Sequence, residues 1–146
     1  LHLSIRRQRQ MCIRDRVIRG GTGHYEAVKV TYDPAVVSYG QLLDVFWKNV
    51  DPFDPIGQFC DKGDSYLGAI FPATPEERTA AEDSKQAVAQ RFERPVEINV
   101  LPETAFYDAE TYHQDYYLKN PQAYNFYKWR CGRAQRLEAI WGPPAE

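Results

Sequence analysis

The sequence predicts an α+β fold, a two-layer α/β plait with long coil segments. Three observations predict it. Apolar alternation recurs in three short stretches, helical spacing fills the two gaps between them, and every junction carries its own turn or capping residues. Strand, helix, strand, helix, strand with both helices on one face leaves such a plait one strand and one helix short, and the shortfall sits at the N-terminal end.

The first stretch, residues 26–32 (EAVKVTY), places Val28, Val30 and Tyr32 on one face and Lys29 and Thr31 on the other. Asp33-Pro34 ends it. Ser38 and Gln41 form a capping-box pair, and Leu42, Leu43, Phe46, Trp47 and Val50 follow at helical spacing. Residues 51–63 hold two prolines and two glycines and read as an irregular loop. Residues 66–71 (YLGAIF) form the second predicted strand, stopped by Pro72. Thr74, Pro75 and Glu77 supply an N-cap, a first-turn proline and a capping glutamate for a helix running to about Phe92, with Ala81, Val88 and Phe92 on its buried side. Residues 96–101 form the third strand, with Val96, Ile98 and Val100 sharing a face. Beyond Pro102 the chain is aromatic, with nine aromatic residues between 106 and 129, and is expected to wrap the core irregularly. A short helix around residues 112–121 (YHQDYYLKNP) ends at Pro121.

At 146 residues with 43% hydrophobic and 26% charged residues, the chain fits one soluble globular domain. Its net charge of −2 hides an asymmetry. Residues 1–19 carry six arginines against Asp15, a balance of +5, which leaves −7 for the remainder. An acidic body argues against nucleic-acid binding, because neutralising phosphates needs a basic face. No apolar run reaches the length of a membrane span or a signal peptide. Three cysteines, Cys12, Cys60 and Cys131, are too scattered for a secreted disulfide scaffold or a zinc site, so a reducing, cytoplasmic setting with free thiols is the default expectation.

Glu26 shares the parity of Val28 and Val30. A carboxyl group facing a core resists ionisation and becomes a candidate proton donor near neutral pH, although a frayed strand end would turn it to solvent instead. Gly21-Thr22-Gly23 reads as a tight turn, since it opens a strand and offers no helix N-terminus to a phosphate. Asp61 and Tyr66 lie in a polar, glycine-containing loop that leads into a buried strand, a common place for site residues. Cys60, beside an aspartate that disfavours its thiolate, reads as structural. Cys131 lies between Arg130 and Arg133, cations that favour a thiolate, and is the most reactive candidate of the three. His113 and Tyr116, three residues apart, can share a helix face.

Several of these residues lie in longer strings: residues 21–34 (GTGHYEAVKVTYDP), 38–47 (SYGQLLDVFW), 57–71 (GQFCDKGDSYLGAIF), 104–121 (TAFYDAETYHQDYYLKNP) and 131–142 (CGRAQRLEAIWG). In this order they resemble the A-type peptide-methionine sulfoxide reductases over roughly residues 17–142. The resemblance implies a ferredoxin-like α/β plait and thiol-dependent reduction of the S-epimer of methionine sulfoxide, free or in proteins. It implies no bound cofactor and no metal, with thioredoxin or another dithiol as external reductant, and a monomer. The family's GH-x-E glutamate is Glu26, which is expected to protonate the sulfoxide oxygen. Its D-x-G-x-x-Y motif gives Asp61 and Tyr66, the tyrosine hydrogen-bonding that oxygen and the aspartate ordering the site. Its H-Q-x-Y motif gives His113 and Tyr116 as substrate-pocket residues. Cys131 takes the place of a resolving thiol.

The G-C-F-W motif that carries the family's attacking thiol is not found in this sequence. Residues 1–16 also lack a family counterpart, and RQRQMCIRDR resembles translated adapter sequence. The expectation is a foreign or disordered segment over residues 1–16 joined to a domain over 17–146 that is incomplete at its N-terminus. Three functions stay open: a reductase seen as a nearly inactive fragment, a non-catalytic module that binds oxidised methionine, and an enzyme with Cys12 or Cys131 as a displaced nucleophile.

Overall fold

The computed structural model describes residues 21, 23–112 and 114–143; residues 1–16, Cys12 and His113 lie outside them. The described chain is α+β. Helix α1 spans Tyr39–Asn49, and its capping box is complete: Gln41 N donates to Ser38 Oγ at 3.2 Å, and Ser38 N donates to Gln41 Oε1 at 2.8 Å. Helix α2 spans Pro75–Phe92, opened by Glu77 N donating to Thr74 Oγ1 at 3.2 Å. The capping glutamate turns one residue further back than expected, accepting from Ala73 N at 2.8 Å.

Regular sheet is confined to two short pairs. Strands β1 (Gly57–Gln58) and β2 (Asp61–Lys62) form an antiparallel hairpin inside the loop. Strands β3 (Ala69–Ile70) and β4 (Asn99–Val100) pair in parallel on either side of α2. The strands expected over 66–71 and 96–101 are therefore only two residues long, and Asp64–Tyr66 forms a 3-10 turn.

Alternation in the last strand is right: Val96 and Ile98 are buried, Ile98 completely. They pack with Leu43, Trp47, Phe53, Ile70, Ala81 and Val88 in one core between α1, α2 and β3–β4. Trp47 Nε1 donates to Ser84 Oγ at 3.0 Å, so the one polar atom of that ring is satisfied between the helices. Gly68 allows the close approach of β3, since a Cβ there would meet Ile98 Cδ1 at 2.1 Å.

Two sequence expectations are corrected. Residues 26–32 form no strand, because a strand needs a partner ladder and no described segment forms one with them. Val28 is 88% exposed and Val30 60%. This segment is instead strapped down at points, by Glu26 N donating to Ser65 O at 2.8 Å and by Tyr32 Oη donating to Glu77 Oε1 at 2.8 Å. The tail is not irregular throughout. After an extended stretch it forms α3 (Tyr116–Lys119), α4 (Pro121–Arg130) and α5 (Arg133–Trp141). Pro121 at the first turn of α4 and the glycines bounding α5 are the local signals, masked in the sequence by the density of aromatics.

Helix α5 is anchored to the C-terminal ends of α1 and α2 and to the loop after α1. Arg136 Nε lies 2.6 Å from Oδ2 of the buried Asp51, Arg133 Nη2 donates to Asn49 O at 2.8 Å, and Trp141 stacks edge-on against Phe92 at 5.2 Å. Asp51 is further held through its backbone, which Gln58 clamps at both N–H and C=O.

Candidate active site

The hairpin β1–β2 and the 3-10 turn that follows carry Asp61 and Tyr66. Gly57 is required where the hairpin closes, since a Cβ would sit 2.1 Å from Asp61 O. Phe59 at the tip adopts a left-handed φ of 52°, unusual for a bulky side chain, with the Arg133 guanidinium 5.0 Å from its ring centre. The Glu26 N–H to Ser65 O bond seats Glu26 next to the turn that ends in Tyr66. Gly21 and Gly23 both take positive φ, which glycine adopts without strain.

One hydroxyl from outside this region reaches the hairpin. Tyr127 Oη, on α4, donates to Asp61 Oδ2 at 2.5 Å. Its pKa is pushed well above the ordinary tyrosine value, first by desolvation, then by the hydrogen bond to Asp61, and then by the charge of Asp61 and the proximity of Tyr66 and Glu26. Tyr127 as a whole is 44% exposed, and its hydroxyl meets the hairpin at a solvent-accessible edge. Three residues singled out from sequence, Glu26, Asp61 and Tyr66, thus lie within electrostatic reach of one phenol.

Glu26 itself is exposed, so of the two readings its pattern left open, a core-facing carboxyl and a frayed end turned to solvent, the second holds. The parity argument needs a ladder to fix the faces, and none forms there. Tyr66 and Asp61 are half-buried. Tyr116 opens α3 and is 42% exposed, while His113 lies outside the described residues.

Cys60 and Cys131 are joined in a disulfide, which corrects the expectation of free thiols. Sequence flagged Cys131 through its arginines but offered nothing to pair it with a residue 71 positions away. Tyr127 was missed as well. It lies outside every motif, and only its place in the aromatic tail hinted at a role. Among the described residues no group of three or more His, Cys, Asp and Glu could hold a metal ion, and no helix is long and apolar enough to cross a membrane.

Comparison with known proteins places these features in context. The family model described as peptide methionine sulfoxide reductase matches residues 10–144. A peptide methionine sulfoxide reductase MsrA 2 of Caulobacter vibrioides is 48% identical over 122 residues, covering 83% of this chain and 62% of the relative. An MsrA of Listeria innocua is 46% identical over 127 residues, covering 86% of this chain and 72% of the relative. This chain thus spans less than two thirds of the Caulobacter protein's length. The crystal structure of Mxr1 from Saccharomyces cerevisiae in reduced form superposes with a TM-score of 0.71 at 32% identity, covering 74% of this chain and 60% of that one.

Proposed function

The chain belongs to the peptide methionine sulfoxide reductase family, and we propose that it acts on methionine (S)-sulfoxide, free or in proteins, at the cluster of Glu26, Asp61 and Tyr66. The observation that carries this reading is that the Glu26 N–H to Ser65 O bond seats Glu26 beside the turn ending in Tyr66, which follows the hairpin whose Asp61 accepts from the Tyr127 hydroxyl. A sulfoxide oxygen is a poor leaving group until it is protonated, and a carboxyl and a phenol aimed at one point supply that proton and a hydrogen bond.

In this scheme Tyr66 donates a hydrogen bond to the sulfoxide oxygen and Glu26 protonates it. Asp61 orders the site, and His113 and Tyr116 contribute to the pocket. A cysteine thiolate attacks sulfur, methionine leaves as the thioether, and the cysteine keeps the hydroxyl as a sulfenic acid. A second thiol displaces water to form a disulfide, and an external dithiol such as thioredoxin returns two electrons and two protons without any bound cofactor. Cys131 takes the second-thiol role only once its bridge to Cys60 has been reduced. The attacking thiol is assigned to no residue, because the sequence has no G-C-F-W string. A second reading is a non-catalytic module that binds oxidised methionine peptides without turnover.

The test is calorimetric titration of the full chain with peptides carrying methionine (S)-sulfoxide, its R-epimer or methionine. Selective binding of the S-epimer, weakened about tenfold or more by Tyr66→Phe, is the expected result. Equal binding of all three peptides rejects the site. Release of methionine product with dithiothreitol present separates the reductase from the binding module.

A further inference from the structure

The hairpin and helix α4 are joined by two links that lie side by side. Cys60 and Asp61 are consecutive at the end of the hairpin turn, and Tyr127 and Cys131 are four residues apart at the end of α4, where Cys131 N donates to Tyr127 O at 3.0 Å. One helical turn therefore presents both side chains to the same edge of the hairpin. Cys131 reaches Cys60 covalently, with their Cα atoms 5.3 Å apart, and Tyr127 Oη reaches Asp61 Oδ2 at 2.5 Å. The Arg133 guanidinium against the ring of Phe59 adds a contact at the hairpin tip.

We propose that Tyr127 is a positioning residue for the Asp61 carboxylate, and that the Cys60–Cys131 bridge governs how firmly it holds that position. Naming Asp61 a site residue rests on the function proposed above. The coupling between the two links stands on geometry alone. Two links between the same pair of elements raise each other's effective concentration, so weakening either weakens the other. With the bridge closed, the hydroxyl and the carboxylate meet with little ordering left to do. With the bridge open, a solvent-facing hydrogen bond must hold α4 on the hairpin unaided, and Asp61 is released from its fixed orientation.

The opening step is ordinary thiol–disulfide exchange. A dithiol attacks one sulfur of the bridge, the Cys60–Cys131 bond breaks, and both residues end as thiols. The dithiol supplies the two electrons and two protons and becomes the disulfide. The site would thereby be tight in an oxidising medium and loose in a reducing one.

The experiment equilibrates the full chain across ratios of reduced to oxidised dithiothreitol. Free thiols are trapped by alkylation, and the peptides bearing Cys60 and Cys131 are quantified by mass, which keeps Cys12 out of the count. Tyr127→Phe is expected to shift the equilibrium toward the dithiol by about threefold to tenfold, or about 15–30 mV for a two-electron couple. In an Asp61→Ala background the same substitution is expected to add less than about twofold. Tyr124→Phe, one turn earlier on α4, is expected to leave the equilibrium within twofold of the parent. The proposal is overturned if Tyr127→Phe leaves the equilibrium unchanged, if its shift persists in full without Asp61, or if Tyr124→Phe shifts it equally. No substrate enters the measurement, so a chain that ignores sulfoxide peptides would remove the proposed function and leave this coupling standing.

Discussion

Val96 and Ile98 lie buried between β3 and α2, whereas Val28 and Val30 project from the strap over residues 24–32 with 88% and 60% of their surface in water. Both stretches alternate apolar and polar residues. The difference lies in the neighbours. Residues 97–101 receive backbone support from Pro52, Gly68 and Ile70, through Glu97 N, Asn99 N and Leu101 N at 2.8–3.0 Å. The strap holds on through the Glu26 N–H and the Tyr32 hydroxyl, with ring contacts of Tyr25 on Phe71 and His24 on Tyr107. One region is fixed by burial and the other by a few polar and aromatic points. The candidate site straddles them, with Tyr66 near the core and Glu26 on the strap.

The comparison breaks most severely at Ile98. Ile98→Ala removes a fully buried side chain that fills the space above Gly68, and relaxation there is limited by the β3–β4 pair. A loss of about 2–5 kcal/mol is expected. Urea unfolding followed by tryptophan fluorescence measures it. A loss below about 1 kcal/mol would mean that Ile98 is not part of a close-packed core.

What was legible in sequence follows the same division. Both long helices and their caps were readable, because Ser38, Gln41, Thr74 and Pro75 act on backbone groups within one turn. The core faces of residues 81, 88, 96 and 98 were readable from periodicity. The strap was misread because alternation states only what a segment could pair with, and the partner is a tertiary fact. Asp61 and Tyr66 were singled out through their loop and its family resemblance, and in the structure Asp61 accepts from Tyr127 while Tyr66 and Glu26 lie within electrostatic reach of the same phenol. Tyr127 and the Cys60–Cys131 bridge were beyond reach, since each joins residues 66 and 71 positions apart with no local pattern to announce it.

A second, smaller effect distinguishes the polar fastenings from the apolar core, because only the fastenings titrate. Tyr32, Tyr39 and Tyr127 all have pKa values raised above the ordinary tyrosine value. The hydrogen bond to Glu77 is the main cause for Tyr32, and desolvation is the main cause for the other two. A raised folded-state pKa means that the fold favours the neutral phenol. That stabilisation is complete below about pH 10, the ordinary tyrosine value, and is lost as pH climbs through the raised values. Unfolding midpoints should therefore fall between pH 10 and 12, and Tyr127→Phe should flatten part of the slope while Ile98→Ala lowers the whole curve in parallel. A Tyr127→Phe curve as steep as the parent's would mean that the Tyr127 phenol takes no part.

The smallest effect is expected where the sequence pattern looked most like a buried strand. Val30→Thr exchanges a methyl for a hydroxyl on a side chain that is already 60% exposed and has no ladder partner, so neither a cavity nor an unsatisfied buried donor results. The change in stability should stay within about 0.5 kcal/mol. The matching substitution Val96→Thr places a hydroxyl at a position only 8% exposed within the core and should cost clearly more, about 1–3 kcal/mol. Measured as a pair in the same urea series, the two valines isolate the contribution of a neighbour from that of the pattern. If Val30→Thr costs as much as Val96→Thr, the strap is packed against a surface in solution, and the contrast between the two regions collapses.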